Sequence, residues 1–411
     1  MSFKAVERCR ICGNTQLIPV LDVGVQALTG IFPKTREQRV TTGPLRLVKC
    51  AGSGEVCGLL QLAHSYEADE LYGENYGYRS GLNPSMVAHL EHNVREVLAR
   101  ARLRPELLII DIGSNDGTTL RAYPPDAGTL VGVDPTGRKF QGFYPPHIHL
   151  LPEFFSAARI NRAFGGRKAA VITAFSMFYD LEEPLAFMRE VAELLDQEGI
   201  WVFEQSYMPT MLAMNSYDTV CHEHLEYYGL RQVNWLAERS GLKLIDVEFN
   251  DVNGGSFCVF GAKSESRREP SARIQTVLHQ EQSQGLETLR PYHDFAQRVA
   301  DSRTSLTAFF QSVRREGRSV CGLGASTKGN VLLQYCGLTA TDIEQIGEVN
   351  PDKFGAYTPG TLIPIVSEAD VLARDPDYLL ILPWHFRRFF ESQPRYSRHR
   401  LVFPLPVLEV K

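Results

Sequence analysis

The sequence predicts an α/β protein of three domains, a small cysteine-bearing N-terminal domain followed by two Rossmann-like domains. Three observations indicate this fold class. Four of the eight cysteines fall within the first 57 residues. An apolar run at 107–112 enters a glycine-containing turn, and a similar turn follows a second apolar run near 320. Such runs are typical of parallel strands that are buried on both faces. We expect the domains at residues 1–75, 76–265 and 266–411.

Composition places the chain among ordinary globular proteins. Hydrophobic residues make up 44% and charged residues 22% of the 411 residues, and 43 basic against 48 acidic side chains give a net charge of −5. This acidic balance argues against a nucleic-acid or anionic membrane partner. Every apolar stretch is far shorter than the about 20 residues of a membrane span, and the start MSFKAVERC has no signal-peptide core. We expect a cytoplasmic monomer or small homo-oligomer.

The early cysteines have the spacing of a metal site. Cys9 and Cys12 form a C-x-x-C knuckle, whereas six residues separate Cys50 from Cys57. Two such pairs can complete a tetrahedral Zn²⁺ site, which is structural because four thiolates leave no open coordination position. A metal would also give cohesion to a segment too short to fold by core burial alone. A redox pair or free thiols at Cys9 and Cys12 is the alternative.

The central region predicts a doubly wound sheet. Apolar residues at helical spacing indicate an amphipathic helix over 86–102, and a strand at 107–112 that is apolar up to Asp111 follows it. Further strands are predicted at 169–175 and 199–206, with a helix over 185–197 between them. Alternating strands and helices of this kind build a parallel sheet with helices on both faces.

The turn after the first of these strands predicts a nucleoside site. In DIGSNDG, Gly113 and Gly117 bracket a turn where the backbone can approach a ligand ahead of a helix. Asp134 ends the next strand about 20 residues later, where a carboxylate binds both ribose hydroxyls. Asp116 would repel a pyrophosphate but suits the amino group of a methionine moiety, which favours S-adenosylmethionine over NAD. Helix capping is the alternative role for Asp111 and Asp116.

A second ligand-binding turn opens the C-terminal domain. The charged, serine-rich stretch GAKSESRREPSARI marks the boundary near 265, and a long helical pattern leads to GLGASTKGN. This turn has Gly322 and Gly324, Thr327 in place of a third glycine, and Lys328. Open amides and a lysine charge predict binding of the diphosphate of a nucleotide-sugar. An NAD site and plain structural packing are the alternatives.

These segments together resemble the sugar C-methyltransferases of deoxysugar biosynthesis, which include the enzyme that methylates C3 of a dTDP-4-keto sugar on the way to tetronitrose. The resemblance covers nearly the whole chain, through the cysteine pairs, ENYGYRSG, DIGSNDG, SYDTVCHEHLEYY, NGGS, GLGASTKGN and NPDK. It implies a zinc-binding domain, a Rossmann-like S-adenosylmethionine-dependent methyltransferase domain, and a C-terminal α/β domain that helps to hold the nucleotide-sugar over the methyl donor.

The resemblance also assigns roles to individual residues. Cofactor contacts are expected from Asp111, Gly113, Asn115, Asp116, Asp134, Phe154, Phe155, Phe175 and Ser176, with the first phenylalanine pair beside the adenine and the last two residues on the floor of the site. Substrate contacts are expected from Tyr76, Ser326, Lys328, Asn330, Asn350, Lys353, Trp384 and His385. The active site is implied at the pair Glu223 and His224 with Tyr78. Cys221 and His222 stand where some relatives have a tyrosine, which leaves the regiochemistry open.

The expected reaction is S-adenosylmethionine-dependent methylation of C3 or C5 in a nucleotide-linked 4-keto-deoxysugar. A carbon next to a ketone needs a base for its proton and a donor for the enolate oxygen. We predict His224 as the base, oriented by Glu223 or Glu226, Tyr78 as the donor, and His222 as the next candidate base. A metal site or a plain polar loop in HEHLEYY is the alternative there. For the whole chain, the alternatives are a bifunctional methyltransferase and NADPH ketoreductase, or a zinc-ribbon nucleic-acid methyltransferase.

Overall fold

Three β-sheets of four or more strands organise the chain, one for each region of the sequence. The computed structural model describes residues 3–52, 55–67, 70–71 and 78–411. Within these ranges, none of the helices combines the length and the apolar character that crossing a bilayer requires.

The N-terminal unit is an antiparallel sheet with the cysteines at one end. Its strands are β1 (Phe3–Ala5), β2 (Leu17–Ala27), β3 (Thr42–Cys50), β4 (Leu60–Leu62) and β5 (His64–Tyr66). Leu45 and Leu47 are fully buried and flank the exposed Arg46, which is the alternation of a sheet with one buried face. Strands β2, β3 and β4 pair in chain order, and β1 pairs with β5.

The central unit is a seven-stranded sheet. In chain order its elements are α1 (Pro84–Arg100), β6 (Leu108–Ile112), α2 (Thr118–Arg121), β7 (Thr129–Val133), α3 (Gly137–Phe140), β8 (Ile148–Leu151), α4 (Ala157–Phe164), β9 (Ala169–Phe175), α5 (Pro184–Leu194), β10 (Leu195–Ser206), α6 (Met208–Ala213), β11 (Glu226–Tyr227), α7 (Leu230–Ser240), β12 (Leu242–Asn250) and β13 (Ser256–Lys263). The strand order is β12-β13-β10-β9-β6-β7-β8, with β13 antiparallel to its neighbours. Leu108 and Ile110 pack on one face of β6 and Ile109 on the other.

One predicted boundary in this unit is wrong. The helix predicted over 185–197 ends at Leu194, because Leu195 already pairs with Ala169 and begins β10, with an irregular register up to Ile200. The helix after Gly117 is only one turn long. This short helix offers less N-terminal charge to a ligand than the sequence suggested.

The C-terminal unit is a six-stranded sheet. Its elements are α8 (Ala272–Ser283), α9 (Arg290–Arg315), β14 (Val320–Leu323), α10 (Thr327–Cys336), β15 (Ile346–Glu348), β16 (Ile365–Ser367), α11 (Glu368–Ala373), β17 (Tyr378–Ile381), α12 (Arg387–Ser392), β18 (Arg400–Phe403) and β19 (Glu409–Val410). The order is β16-β15-β14-β17-β18-β19, and only β19 is antiparallel. The chain runs outward on one side of β14 and returns to β17 on its other side. That change of direction is the point where open α/β sheets bind ligands.

The N-terminal unit connects the other two. Its cysteine end, with Cys57 and Leu59, belongs to the core of the central unit, whereas Leu45 and Leu47 belong to the core that continues into the C-terminal unit. The short strand β11, within the range predicted for the central domain, pairs with β4 and extends the N-terminal sheet. The N-terminal sheet therefore contacts the cores of both other units and pairs with a strand from the range of the central unit.

Candidate active site

The structure brings the four predicted zinc ligands together. The sulfurs of Cys9, Cys12, Cys50 and Cys57 all lie within 4.8 Å of one another, with 3.4 Å between Cys9 and Cys57 and 3.6 Å between Cys12 and Cys50. A zinc ion with four bonds of about 2.3 Å sets its sulfurs about 3.8 Å apart. Asn14 Nδ2 donates to Cys50 Sγ at 3.3 Å. The cluster therefore fits a tetrahedral Zn²⁺ ion.

An arginine in the first knuckle ties this cluster to the rest of the molecule. The Arg10 side chain is 3% exposed, and its guanidinium donates to the Leu62 carbonyl at 2.8 Å and to Ser65 Oγ at 2.9 Å. It also donates to Glu182 Oε2 of the central unit at 3.1 Å. The knuckle is thus joined to strand β4 and to the central unit.

The glycine turn has the backbone geometry that the sequence predicted. Gly113 and Gly117 have φ of +73° and +74°, and Asn115 has φ of +49°. Asp134 Oδ2 accepts from the Asn115 amide at 2.7 Å, and Oδ1 accepts from the amide and hydroxyl of Thr136 at 2.7 and 2.6 Å. Oδ1 already has two donors, so the acceptor site that remains is on Oδ2. Asp134 can therefore shape the turn and still accept from one ribose hydroxyl through Oδ2.

The two remaining aspartates of the turn differ in role. Asp116 Oδ1 accepts from the amide of Thr118 at 3.3 Å and its hydroxyl at 2.5 Å, so this carboxylate supports the start of α2, although the N-cap residue is Gly117. Asp111 is 2% exposed and accepts from Thr173 Oγ1 at 2.5 Å. Burial raises the pKa of Asp111 to about 7. Its carboxyl group is therefore partly protonated near neutral pH.

A segment of chain lies over the glycine turn. Asn115 Oδ1 accepts from the Ser80 amide at 3.0 Å, and its Nδ2 donates to the Tyr78 carbonyl at 3.2 Å. Asp116 Oδ2 accepts from the Gly81 amide at 3.1 Å. The Tyr78 side chain is 48% exposed beside the turn. Tyr76, predicted to contact substrate, lies outside the described residues.

The two phenylalanines expected beside the adenine point in different directions. Phe154 is 51% exposed and lines a cavity of about 210 Å³ together with Val133 and Leu151. Phe155 packs into the core against Phe187, with ring centroids 4.9 Å apart. Only Phe154 is placed to contact a nucleobase in that cavity.

The end of β9 holds a buried polar cluster that the sequence did not reveal. Phe175 ends the strand, and Ser176, with φ of +55°, donates its amide to the Glu204 carbonyl at 2.7 Å. The Glu204 carboxylate contacts His89 Nε2 at 2.6 Å and accepts from Asn250 Nδ2 at 2.8 Å. The cluster fixes α1 against the carboxyl ends of β10 and β12, at the floor of the site.

His224 is held as a neutral acceptor. Its Nδ1 lies 2.9 Å from the carbonyl oxygen of Thr219, and its ring packs on Tyr179 at a centroid distance of 4.2 Å. A carbonyl only accepts, so Nδ1 carries the proton and Nε2 is left with a free lone pair. Burial and the positive charge of Lys328 lower the pKa of His224 to about 3. The orienting group is a backbone carbonyl and not Glu223 or Glu226.

Glu223 points toward the N-terminal unit. Its Oε2 accepts from Thr29 Oγ1 at 3.3 Å. A β-carbon on Gly30 would lie 2.6 Å from Glu223 Oε1, so this approach requires glycine. Burial raises the pKa of Glu223. Its carboxyl group thus sits where the central and N-terminal units meet.

His222 does not share the face of His224. Its Nε2 lies 3.4 Å from the Gly43 carbonyl, and its ring meets Tyr66 edge-on at 4.7 Å, inside the N-terminal unit. Burial lowers its pKa to about 4. The two histidines lie on different sides because residues 222 and 223 form a turn and not an extended strand.

Three predicted substrate residues meet where the C-terminal sheet changes direction. Lys328 lies in the first turn of α10 after β14, and Trp384 and His385 follow β17. Lys328 Nζ donates to the Asn253 carbonyl of the central unit at 2.7 Å. The ligand crevice of the C-terminal unit therefore opens toward the central unit.

The other four predicted substrate residues are already engaged in hydrogen bonds that build this edge. They are Ser326, whose Oγ caps α10 at the Gly329 amide (3.0 Å), Asn330, whose Nδ2 donates to the Thr29 carbonyl (2.8 Å), Asn350, whose Oδ1 accepts from the Asp352 amide (3.1 Å), and Lys353, whose Nζ donates to the Ala325 carbonyl (2.7 Å). Asn330 is fully buried, and its role in the structure is to join two units.

Asp218 is a site residue that the sequence analysis missed. It is 1% exposed, and its Oδ2 accepts from Trp384 Nε1 at 2.8 Å. It immediately precedes Thr219, the residue that orients His224. The available signal was an acidic residue shortly before HEH, in the segment SYDTV.

Comparison with known proteins finds matches for each of the three units. Three family models match successive parts of the chain, a zinc binding domain at residues 9–72, a methyltransferase domain at 86–247 and a C-methyltransferase C-terminal domain at 251–406. C-methyltransferase NovU of Streptomyces niveus is 29% identical over 98% of this chain and 96% of its own length. These matches identify the chain as an S-adenosylmethionine-dependent C-methyltransferase.

Solved structures that resemble this C-methyltransferase are more distant. The CcbJ methyltransferase of Streptomyces caelestis is 14% identical, covering 42% of this chain and 89% of its own, with a TM-score of 0.33. Magnesium protoporphyrin IX methyltransferase of Synechocystis, with bound S-adenosylmethionine, is 15% identical, covering 43% and 79%, with a TM-score of 0.32. The family assignment rests on the sequence matches.

The C-methyltransferase uses S-adenosylmethionine and contains a structural zinc ion. The four sulfurs described above would hold the zinc. For the methyl donor, the chain offers the Gly113 turn, the Asp134 carboxylate and the cavity beside Phe154, which together line the carboxyl ends of β6, β7 and β8. Ligands of open α/β sheets bind at this edge.

Replacing Asp134 by alanine is expected to weaken S-adenosylmethionine binding by about 1.5–3 kcal/mol, the range for hydrogen bonds to a charged group. The substitution removes the proposed acceptor for the ribose and the acceptor of the Asn115 amide hydrogen bond. Calorimetric titration measures the change. Thr136→Val is the matched control, because it removes a donor to Asp134 and keeps the carboxylate. Equal affinity in wild type and Asp134→Ala would place the cofactor elsewhere.

Replacing Asp111 by asparagine is expected to stabilise the C-methyltransferase, and more so at higher pH. The raised pKa means that the folded protein keeps a proton that the unfolded chain releases above its ordinary pKa of 3.8, so stability falls as pH rises from about 4 to 7. Asparagine does not titrate.

The expected gain in unfolding free energy is on the order of 4 kcal/mol at pH 8 and about half that at pH 5.5, from 1.36 kcal/mol per pKa unit. Urea unfolding at the two pH values measures it, with the exposed Asp126→Asn as control. A gain independent of pH would contradict the assignment.

Proposed function

We propose that the enzyme methylates C3 or C5 of a nucleotide-linked 4-keto-deoxysugar. The observation that supports this most is His224, a neutral imidazole with its Nδ1 proton fixed on Thr219, at the junction between the central unit and the crevice of the C-terminal unit. A sugar carbon becomes a nucleophile only when a base removes its proton and an adjacent ketone accepts the charge. S-adenosylmethionine, when bound, supplies an electrophilic methyl group.

The residues divide the work as follows in this proposal. His224 Nε2 takes the proton from the carbon next to the ketone. Tyr78 lies on the segment above the glycine turn, where its hydroxyl can donate to the ketone oxygen. Glu223, at the junction with Thr29, accepts from a sugar hydroxyl.

The nucleotide is proposed to occupy the C-terminal crevice. This crevice lies where the strand order reverses, between β14 and β17, the usual ligand position in such sheets. Trp384 and His385 line its β17 side, and Asn350 and Lys353 stand at the end of β15. A substrate anchored there extends its sugar toward His224. The reaction belongs to deoxysugar biosynthesis of the kind that serves antibiotic production.

A labelling experiment tests the proposal. Zinc-loaded enzyme is incubated with dTDP-4-keto-6-deoxyglucose and S-adenosylmethionine carrying a ¹³C methyl group, and the product is examined by NMR. We expect a methyl carbon bonded to a ring carbon next to the ketone. A methyl group on oxygen, or no methylated product from this or other nucleotide-linked 4-keto sugars, would contradict the proposal.

A further inference from the structure

The side chain of Lys328 makes a hydrogen bond to another unit of the protein. It belongs to the first turn of α10, yet its Nζ donates to the Asn253 carbonyl of the central unit at 2.7 Å. Asn253 has φ of +56°, in the left-handed region, within the Asn-Gly-Gly turn between β12 and β13. A β-carbon on the next residue, Gly254, would lie 3.8 Å from His385. This turn therefore packs against the C-terminal crevice, and its Asn253 carbonyl holds the Lys328 ammonium group at the edge of that crevice.

Asp218 is a buried carboxylate that lacks a full set of hydrogen-bond donors. Asp218 is 1% exposed, and only its Oδ2 has a hydrogen-bond donor, Trp384 Nε1, among the described residues, whereas Oδ1 has none. Burying a charged group without compensation is costly. Burial raises the pKa of Asp218 and lowers the pKa of Lys328, and the charge of each group opposes the shift of the other.

The same lysine acts on the proposed base. Asp218 is bonded in sequence to Thr219, whose carbonyl holds His224 Nδ1 at 2.9 Å. The charge of Lys328 contributes to the lowered pKa of His224. The helix that carries Lys328 packs on the segment that holds His224, since the rings of Tyr335 and Tyr217 lie 5.4 Å apart. Base and lysine therefore belong to neighbouring elements, which suits enolate formation because the reacting carbon and the carbonyl oxygen are only two bonds apart.

We propose that Lys328 is a further catalytic residue, the cation that stabilises the enolate oxygen. This inference rests on the proposed function. In the step, the carbon–hydrogen bond next to the ketone breaks and the proton moves to His224 Nε2. The electron pair forms a carbon–carbon double bond, and the carbonyl π electrons move to the oxygen, which Lys328 and Tyr78 contact. Preorganised donors at such an oxygen give the largest single contribution to catalysis in many enzymes.

This assignment differs from a diphosphate role for the same lysine. Ser326 already caps the α10 terminus at the Gly329 amide, and Lys353 provides another ammonium group at that edge, beside the Ala325 carbonyl. The Lys328 ammonium group, by contrast, donates to the Asn253 carbonyl of the central unit. The two roles predict different kinetics, because a diphosphate ligand affects binding and an enolate ligand affects the rate at saturation.

Proton exchange separates the two roles. Full-length, zinc-loaded Lys328→Met and Lys328→Arg are mixed in D₂O with S-adenosylhomocysteine and saturating dTDP-4-keto-6-deoxyglucose, and deuterium entry beside the ketone is followed. Lys34→Met is the matched control, because Lys34 Nζ also donates to a carbonyl of another unit, that of Asp352, at 2.6 Å. Affinity for dTDP alone is measured for each variant.

We expect Lys328→Met to slow exchange at saturation by about 10²–10³-fold, as for loss of one oxyanion donor, with dTDP affinity unchanged and partial recovery in Lys328→Arg. Wild-type exchange in Lys328→Met, or weaker dTDP binding with full exchange at saturation, would overturn the assignment. If Lys328→Met does not fold, Lys328→Gln takes its place in the same comparison. Absence of exchange in the wild type itself would instead overturn the proposed function, and this inference with it.

Discussion

Replacing His224 by alanine is expected to lower methyl transfer by about 10²–10⁴-fold, the usual effect of removing a general base. The imidazole has its Nδ1 proton fixed on the Thr219 carbonyl, so Nε2 is the atom that can take a proton. S-adenosylmethionine affinity should stay close to the wild-type value, because the cofactor contacts are expected at the Gly113 turn and Asp134. Steady-state turnover and calorimetric titration measure the two quantities.

The control for this variant is His147→Ala, which removes an exposed histidine of the central unit. It should leave both turnover and cofactor affinity unchanged. Parallel losses of turnover and cofactor affinity in His224→Ala would indicate a structural defect. Full turnover would transfer the role of base to another residue, with Tyr78 next to be tested.

Replacing Cys57 by serine is expected to abolish zinc binding and unfold the N-terminal unit. Structural zinc contributes apparent folding free energies of about 10–16 kcal/mol in zinc-finger peptides. Methyl transfer should fall as well. Strand β4 pairs through Leu60 and Gln61 with β11, which begins at Glu226, shortly after His224.

Metal analysis and limited proteolysis measure this outcome, which should be loss of zinc together with rapid cleavage near the N-terminus. Cys336→Ser is the matched control. That cysteine is also buried, but it lies in the C-terminal unit, where its sulfur is 3.7 Å from the Tyr217 hydroxyl. A full zinc content in Cys57→Ser would exclude Cys57 as a ligand.

Features encoded by local sequence patterns were predictable. The C-x-x-C knuckle, the Gly113 turn and the strand at 169–175 each follow from the spacing of neighbouring residues, and the structure places them as expected. Burial on both faces produces an apolar run whatever the surrounding topology is. The order of elements was therefore accessible before the structure.

Contacts between residues far apart in the chain were not predictable. Asp218 meets Trp384, and Lys328 meets Asn253, through domain packing that no local pattern encodes. The orientation of His224 by a backbone carbonyl was also hidden, because every residue type carries a carbonyl. The sequence pattern instead favoured a carboxylate, that of Glu223 or Glu226, as the group that orients His224.

The most direct test of the central claim is hydrogen exchange by the wild-type enzyme in D₂O, with S-adenosylhomocysteine in place of the methyl donor and dTDP-4-keto-6-deoxyglucose as substrate. If His224 forms an enolate before carbon is methylated, deuterium enters a position next to the ketone in the wild type, and His224→Ala loses this exchange. Exchange that continues at the wild-type rate in His224→Ala, or C-methylation by a wild type that exchanges no proton, would contradict the account.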